Sequence, residues 1–136
     1  MDKSLLRLIG AVLVGAMALA ATTMDLYPRI AIGAMIGLPS FVLIIVGRRQ
    51  LGQSFTIMPE AKALISAGLY SKIQHPLYFF LDLFLIGVIT ALGMPILLLA
   101  WSLLVAVHLL QCRREEKVLA NAFGAAYDAY RARTWL

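Results

Sequence analysis

His75 and Pro76 begin the third of four long apolar segments, and Tyr78 and Asp82 follow them closely. Pro76 has no amide hydrogen and suits the first turn of a helix, which places His75 at or beside the N-cap. Positions 75, 78 and 82 then share one helix face, with Asp82 nearly two turns inside the apolar segment. Because an ionisable side chain is costly at that depth, Asp82 should face the other helices. It would do so either as part of a site or as a polar contact between helices.

A second polar cluster ends the fourth apolar segment; its members are His108, Gln111, Cys112, Arg113, Arg114, Glu115 and Glu116. If the third and fourth segments form a hairpin, both clusters lie at the same end, and His75 should be close to Glu115. A charged helix end explains the arginines, whereas two adjacent glutamates are less expected because acidic residues contribute little to membrane orientation. We interpret His108 alone as a structural residue facing the helix bundle. No zinc site is predicted, since the spacing matches no standard motif and the ligands are too few.

The composition assigns the chain to a membrane. Of its 136 residues, 62% are hydrophobic and 14% charged, and the mean hydropathy is +0.87. A soluble domain is nearer half apolar, so the excess apolar surface indicates a lipid environment. The single cysteine, Cys112, excludes an internal disulfide and a site built from cysteines alone. The sequence contains neither glycine-rich phosphate-binding pattern, GxGxxG or GxxxxGK[ST], which argues against a soluble nucleotide-binding enzyme.

The apolar segments predict an all-α integral membrane protein with about four transmembrane helices, at residues 5–24, 30–46, 77–92 and 95–110. Gly93 and Met94 alone separate the last two, and Pro95 suits a helix start, so these segments form a tight helical hairpin. We expect one domain, 1–136. It comprises two N-terminal helices in 1–47, a cytoplasmic loop at 48–76, the hairpin at 77–111 and an amphipathic tail helix at 113–133.

Basic residues predict the orientation. With a cytoplasmic N-terminus, Arg29 is the only basic residue outside, and the remaining eleven of the twelve lie inside. Both termini would then be cytoplasmic, and in a prokaryote the membrane would be the inner one. This asymmetry accounts for the net charge of +5 better than nucleic-acid binding does. Lys3, Arg7 and the Ala18-Leu19-Ala20 triplet imitate a cleavable signal, but the apolar run continues to Met24, which favours a retained helix.

Two segments are predicted to lie at the membrane surface. The loop at 48–76 is too apolar for a disordered linker, with Leu64, Ile65, Leu69, Tyr70 and Ile73 among its residues. In the tail, one helical stripe is formed by Val118, Leu119, Ala122, Phe123, Ala126, Tyr127 and Tyr130. A helix with this pattern lies along the interface or covers a site there.

Two blocks of sequence then resemble a known family. Residues 68–78 read GLYSKIQHPLY and resemble the signature G-x-Y-x-x-x-R-H-P-x-Y. Residues 114–130 read REEKVLANAFGAAYDAY and resemble a block of the form R-x-E/E-E followed by F-G-x-x-Y-x-x-Y. In this order, flanking a two-helix hairpin, the blocks resemble the isoprenylcysteine carboxyl methyltransferase and phospholipid methyltransferase superfamily of integral membrane enzymes.

The resemblance implies methyl transfer from S-adenosylmethionine, bound by the loop, the hairpin ends and the tail helix, to an apolar or lipidated acceptor. The implied cofactor-binding residues are Gly68, Tyr70, Gln74, His75, Pro76, Tyr78, Glu115 and Glu116. Tyr127, Tyr130 and Arg131 would close the pocket or meet the substrate. For an amine or hydroxyl acceptor, the candidate bases are Glu115, His75 and, from its predicted burial, Asp82.

One departure from the signature concerns Gln74, which stands where the family usually has arginine. It removes a fixed positive charge near the expected methionyl carboxylate, and an amide donates more weakly than a guanidinium. The sequence therefore predicts that Gln74→Arg tightens cofactor binding.

Two other functional classes stay open at this point. One is a small dimeric transporter that uses Asp82 for ion coupling, and the other is an inactive membrane scaffold. The acceptor and the oligomeric state also stay open. Gly33 and Gly37 form a small-xxx-small pattern that suits a helix contact either within one chain or between two.

Overall fold

The computed structural model describes residues 3–52, 64 and 66–135, and within them the chain is helical without strands. The helices are α1 (Lys3–Thr22), α2 (Leu26–Leu51), α3 (Pro76–Leu92), α4 (Leu97–Phe123) and α5 (Ala125–Arg133), with a 3-10 turn at Gly68–Ser71. The predicted all-α class is therefore confirmed. Most of the predicted loop, residues 53–63 and 65, lies outside the described residues.

Three helices, α1, α2 and α4, are long and apolar enough to cross a membrane, and α3 is an apolar helix of 17 residues. A span of about 17 residues is the lower limit for the hydrocarbon layer. Large apolar side chains point outward, for example Met17, Met35 and Leu103, which are 73%, 76% and 69% exposed. Since water would disfavour such a surface, the predicted membrane protein is confirmed.

α3 is capped by Gly93, whose left-handed backbone (φ +64°) lets its amide donate to the carbonyl oxygens of Ile89 and Thr90. α4 begins four residues later, so the hairpin connection is slightly longer than the sequence predicts. α3 also packs tightly against α2, because a Cβ added to Gly33 would lie 2.5 Å from the carbonyl oxygen of Gly87. The Gly33–Gly37 pattern thus serves a contact within the chain.

The predicted separate tail helix at 113–133 is wrong in its bounds. α4 runs without a break from Leu97 through the charged cluster to Phe123, because residues 111–123 contain neither glycine nor proline. The break falls at Gly124 (φ +48°), and α5 follows directly. Glu115 and Glu116 consequently lie on the same helix as His108.

The two ends of the chain meet at one end of the bundle. Lys3 Nζ donates to the carbonyl oxygens of Arg131 and Thr134, both over 2.6 Å. The amide of Trp135 donates to the carbonyl oxygen of Lys72 over 2.8 Å. These bonds hold α1, α5 and the segment before α3 together around the N-terminal end of α3.

Candidate functional site

The two polar clusters of the sequence come together where α3 begins. His75 Nδ1 lies 3.2 Å from Oε2 of Glu115, and the Tyr78 hydroxyl donates to Oε1 of the same carboxylate over 2.5 Å. The structure thus contains the contact that the hairpin topology predicts between His75 and Glu115. Both oxygens of Glu115 are held by side chains from the start of α3, so this carboxylate has a fixed orientation.

Glu116, the next residue, is held by cations from three different parts of the chain. Arg7 Nη1 lies 2.7 Å from Oε1 of Glu116, Arg131 Nη2 lies 3.8 Å from Oε2, and His75 Nε2 lies 3.5 Å from Oε1. The second guanidinium nitrogen of Arg7 donates to Gln74 Oε1 over 2.8 Å. Arg7 therefore joins α1 to both signature blocks, a role that the sequence analysis did not predict.

Three buried polar atoms around Glu116 have no hydrogen-bond partner among the described residues. They are Gln74 Nε2, His75 Nε2 and the hydroxyl oxygen of Tyr127. His75 Nε2 is within ion-pair distance of Glu116 but is not aligned for a hydrogen bond. A buried donor without a partner is costly, so three of them in one place indicate a site that a polar ligand completes.

At the end of the bundle where α3 begins, three titratable side chains keep their protons at neutral pH and can donate hydrogen bonds. Burial lowers the pKa of the His75 imidazole, but interactions with Cys112, Glu115 and Glu116 outweigh it and raise that pKa to about 10. Burial raises the pKa of Tyr127 and of Tyr130 to about 12. At neutral pH, His75 is therefore a cation paired with carboxylates, and both phenols keep their protons.

The remaining predicted site residues surround this cluster. Gly68 begins the 3-10 turn. Tyr70 is buried in that turn; burial raises the pKa of its phenol, and the nearby Tyr130 and Glu115 raise it further. Pro76 is fully buried as the first residue of α3. Tyr130 is buried with its ring centroid 6.2 Å from that of Tyr127, and Arg131 is partly exposed.

Asp82 lies deeper and is paired. Its Oδ1 is 3.0 Å from Nδ1 of His108, its backbone oxygen accepts from Trp101 Nε1 over 3.2 Å, and the His108 ring is 4.9 Å from that of Tyr78. Asp82 thus faces the bundle as the sequence predicts, and His108, expected to be only structural, is its partner. The spacing of 26 residues between them carries no local signal, so only the packing of α3 on α4 reveals the pair.

A cavity of about 170 Å³ lies between α1, α3 and α4, and we call it the inter-helix cavity. Its wall is mainly apolar, with Leu6, Val14, Phe79, Leu83, Val105 and Leu109 among the lining residues. The polar residues in its lining include Arg7, His75, Tyr78, Asp82 and His108. Such a cavity suits an apolar molecule with one polar end. Within the described part of the chain, no group of three or more metal-binding side chains is arranged to hold a metal ion.

Comparison with known proteins adds one match. A family profile described as phospholipid methyltransferase matches residues 28–126, which leaves α1 and most of α5 outside the matched region. No curated protein and no solved structure matches the chain significantly. Because the match covers well over half of the chain, the protein belongs to the phospholipid methyltransferase family, whose members are methyltransferases acting on lipid-like substrates.

Proposed function

We propose that the protein transfers a methyl group from S-adenosylmethionine to a lipid-like or lipidated acceptor at the cytoplasmic face of the membrane. The observation that carries this proposal is the meeting of the two signature blocks, in which His75 and Tyr78 of the first hold Glu115 of the second. Family membership supports the reaction class, and the contact supports the position of the site.

The cytoplasmic placement is supported by charge. Lys3, Arg7 and Arg131 meet at the same end of the bundle as His75. Arg29 lies at the opposite end, beside Gly93 of the hairpin turn. By the positive-inside rule, this distribution supports a cytoplasmic site and cytoplasmic termini, and in a prokaryote the membrane would be the inner one.

The residues present fit the proposed methyl donor. The donor bears a carboxylate, hydroxyl groups and positive charge at sulfur and nitrogen. Its carboxylate and hydroxyl groups would accept hydrogen bonds from groups that have no partner here, which are Gln74 Nε2, His75 Nε2 and the Tyr127 hydroxyl. Its positive charge would be balanced by the negative charge of Glu115 and Glu116. When bound, S-adenosylmethionine supplies an activated methyl group, so the protein needs no nucleophile of its own and has mainly to align the reactants.

The inter-helix cavity is our candidate for the acceptor. Its apolar wall suits a hydrocarbon portion, while Asp82 and His108 offer polar contacts to the reacting end. In the tautomer of His108 whose Nδ1–H donates to the Asp82 carboxylate, the lone pair of the ring lies on Nε2. That nitrogen is then available to take a proton from an amine or hydroxyl acceptor, whereas a carboxylate acceptor would need no base.

The test is binding followed by transfer. Purified protein in detergent should bind S-adenosylmethionine in isothermal titration calorimetry and move a labelled methyl group into lipids extracted from its native membrane. Glu115→Gln keeps the shape and removes the charge, and His75→Ala removes the imidazole; both should abolish measurable binding. Asp128→Asn is the matched control, because Asp128 is an exposed carboxylate on α5.

Other outcomes would contradict the proposal in distinct ways. A transporter would show proton-coupled flux in vesicles that depends on Asp82, without binding the methyl donor. A scaffold would show neither flux nor donor binding. Donor binding that is unchanged in Glu115→Gln would place the donor elsewhere on the protein.

A further inference from the structure

Arg7 is a charged residue in the apolar helix α1, yet its side chain is only 11% exposed. One guanidinium nitrogen contacts Glu116, and the other donates to Gln74. It also lines the inter-helix cavity. Orientation in the membrane requires only that a basic residue lie in the cytoplasm, so these buried contacts are not explained by the positive-inside rule.

The partner of Arg7 is the position at which the sequence departs from the signature. The arginine that the signature carries at position 74 is replaced by glutamine, and the guanidinium of Arg7 lies 2.8 Å from that glutamine oxygen. Gln74 Nε2 remains without a partner among the described residues. Arg7 lies in α1, outside the family match at 28–126, so the match does not include this charge.

We infer that Arg7 and Gln74 together do what one arginine at position 74 does in the signature, so that α1 forms part of the donor site. The inference rests on the proposed function and names the part of the ligand concerned, a carboxylate of the methyl donor. Gln74 has two roles in this arrangement, since its oxygen fixes the Arg7 guanidinium and its buried Nε2 has no partner among the described residues. A guanidinium and an amide side by side can hold a carboxylate as one bidentate arginine would.

The sequence-based prediction for Gln74→Arg is reversed by this arrangement. Arginine at position 74 would remove the side-chain oxygen that holds the Arg7 guanidinium and would repel that guanidinium from its place. Gln74→Arg alone should therefore weaken donor binding. Gln74→Arg in an Arg7→Gln background exchanges the two groups and should recover the binding that Arg7→Gln loses.

The test measures ligand affinity of the full-length protein in detergent with S-adenosylhomocysteine and with methylthioadenosine, which lacks the amino-acid carboxylate. Arg7→Gln should weaken S-adenosylhomocysteine binding about tenfold to a hundredfold, the effect expected from a charged hydrogen bond. Methylthioadenosine binding should change by less than about threefold, well under that effect. Lys3→Gln is the control, since Lys3 also ties α1 to the C-terminal segment but contacts neither Gln74 nor Glu116.

Each result decides between explanations. Equal losses for both ligands, or an equal loss in Lys3→Gln, would show that Arg7 only docks α1, and the inference would be wrong. Unchanged affinity in Arg7→Gln would overturn it as well. If the double variant Arg7→Gln/Gln74→Arg does not fold, the affinities of Arg7→Gln for S-adenosylhomocysteine and methylthioadenosine still decide whether Arg7 binds the carboxylate. Failure of the wild type to bind either ligand would instead contradict the proposed function.

Discussion

Replacing Tyr78 with phenylalanine would remove one oxygen atom from the contact between α3 and α4. The hydroxyl donates to Oε1 of Glu115 over 2.5 Å, while the ring lies 4.9 Å from the His108 ring and 6.1 Å from that of His75. Because phenylalanine keeps the ring, the packing remains and only the hydrogen bonds of the hydroxyl, to Glu115 and Gln111, are lost. A hydrogen bond to a charged group contributes about 1.5–3 kcal/mol, which corresponds to a factor of about 10 to 100 in an equilibrium constant.

The expected result follows from what Glu115 does in the proposed site. Once released from Tyr78, the carboxylate keeps His75 as its partner at 3.2 Å but loses one of its two fixed oxygens. We therefore expect donor affinity, measured by calorimetry with S-adenosylmethionine, to fall by about tenfold or more. The rate of methyl transfer to membrane lipids at low donor concentration should fall by at least the same factor.

A matched variant separates function from stability. Tyr27→Phe also removes a phenol, but Tyr27 is 84% exposed at the opposite end of the bundle. It should leave both affinity and thermal stability unchanged. If Tyr78→Phe lowers the unfolding temperature but leaves donor affinity within about twofold of wild type, far from the expected factor, the contact is structural and the proposed role of Glu115 is wrong.

Three further predictions concern packing, protonation and chemistry. Gly87→Ala should lower the free energy of unfolding by about 1–3 kcal/mol in detergent, because the new Cβ would lie 2.7 Å from the carbonyl oxygen of Gly33. Gly10→Ala is the control and should leave the free energy of unfolding unchanged, because a Cβ there meets nothing within 4 Å. The raised pKa of His75 predicts a stability contribution that is present below about pH 6.5 and lost as the pH rises through about 10. The gap in unfolding temperature between wild type and His75→Gln should therefore narrow with rising pH, and a constant gap would refute this. With an amine or hydroxyl acceptor, Asp82→Asn should lower kcat about a hundredfold or more while the donor Kd is unchanged, because His108 loses the carboxylate that orients it. A weaker donor Kd with unchanged kcat would exclude the proposed role of the Asp82–His108 pair.

Much of the site could be predicted because its residues are close in sequence or joined by a simple hairpin. His75, Pro76 and Tyr78 occupy one turn at the start of α3, and a two-helix hairpin returns the chain to the same end. That topology alone predicts the contact between His75 and Glu115. The helix bounds were less predictable, since the charged run after Leu110 suggests a junction although its residues are good helix formers.

The place of Arg7 in the polar cluster could not be predicted from the sequence. Arg7 lies 109 residues from Glu116, and its position in an apolar segment near the N-terminus has a sufficient explanation in membrane orientation. The pairing depends on how α1 packs against α3 and α4, which no local pattern encodes. The partnership of Asp82 with His108 was missed for the same reason, because each residue is compatible with a purely structural polar contact within a bundle.

The arrangement of the polar groups explains why Tyr78 is central to the proposed reaction. The His75, Glu115 and Glu116 cluster lies where α3 begins, whereas the Asp82–His108 pair lies about two turns deeper among apolar side chains. Tyr78 touches both: its hydroxyl binds Glu115 and its ring lies beside His108. A water-soluble methyl donor and a membrane-embedded acceptor have to approach each other from opposite directions. A residue with a polar tip at the cytoplasmic cluster and an aromatic body in the inter-helix cavity therefore lies where the two would meet.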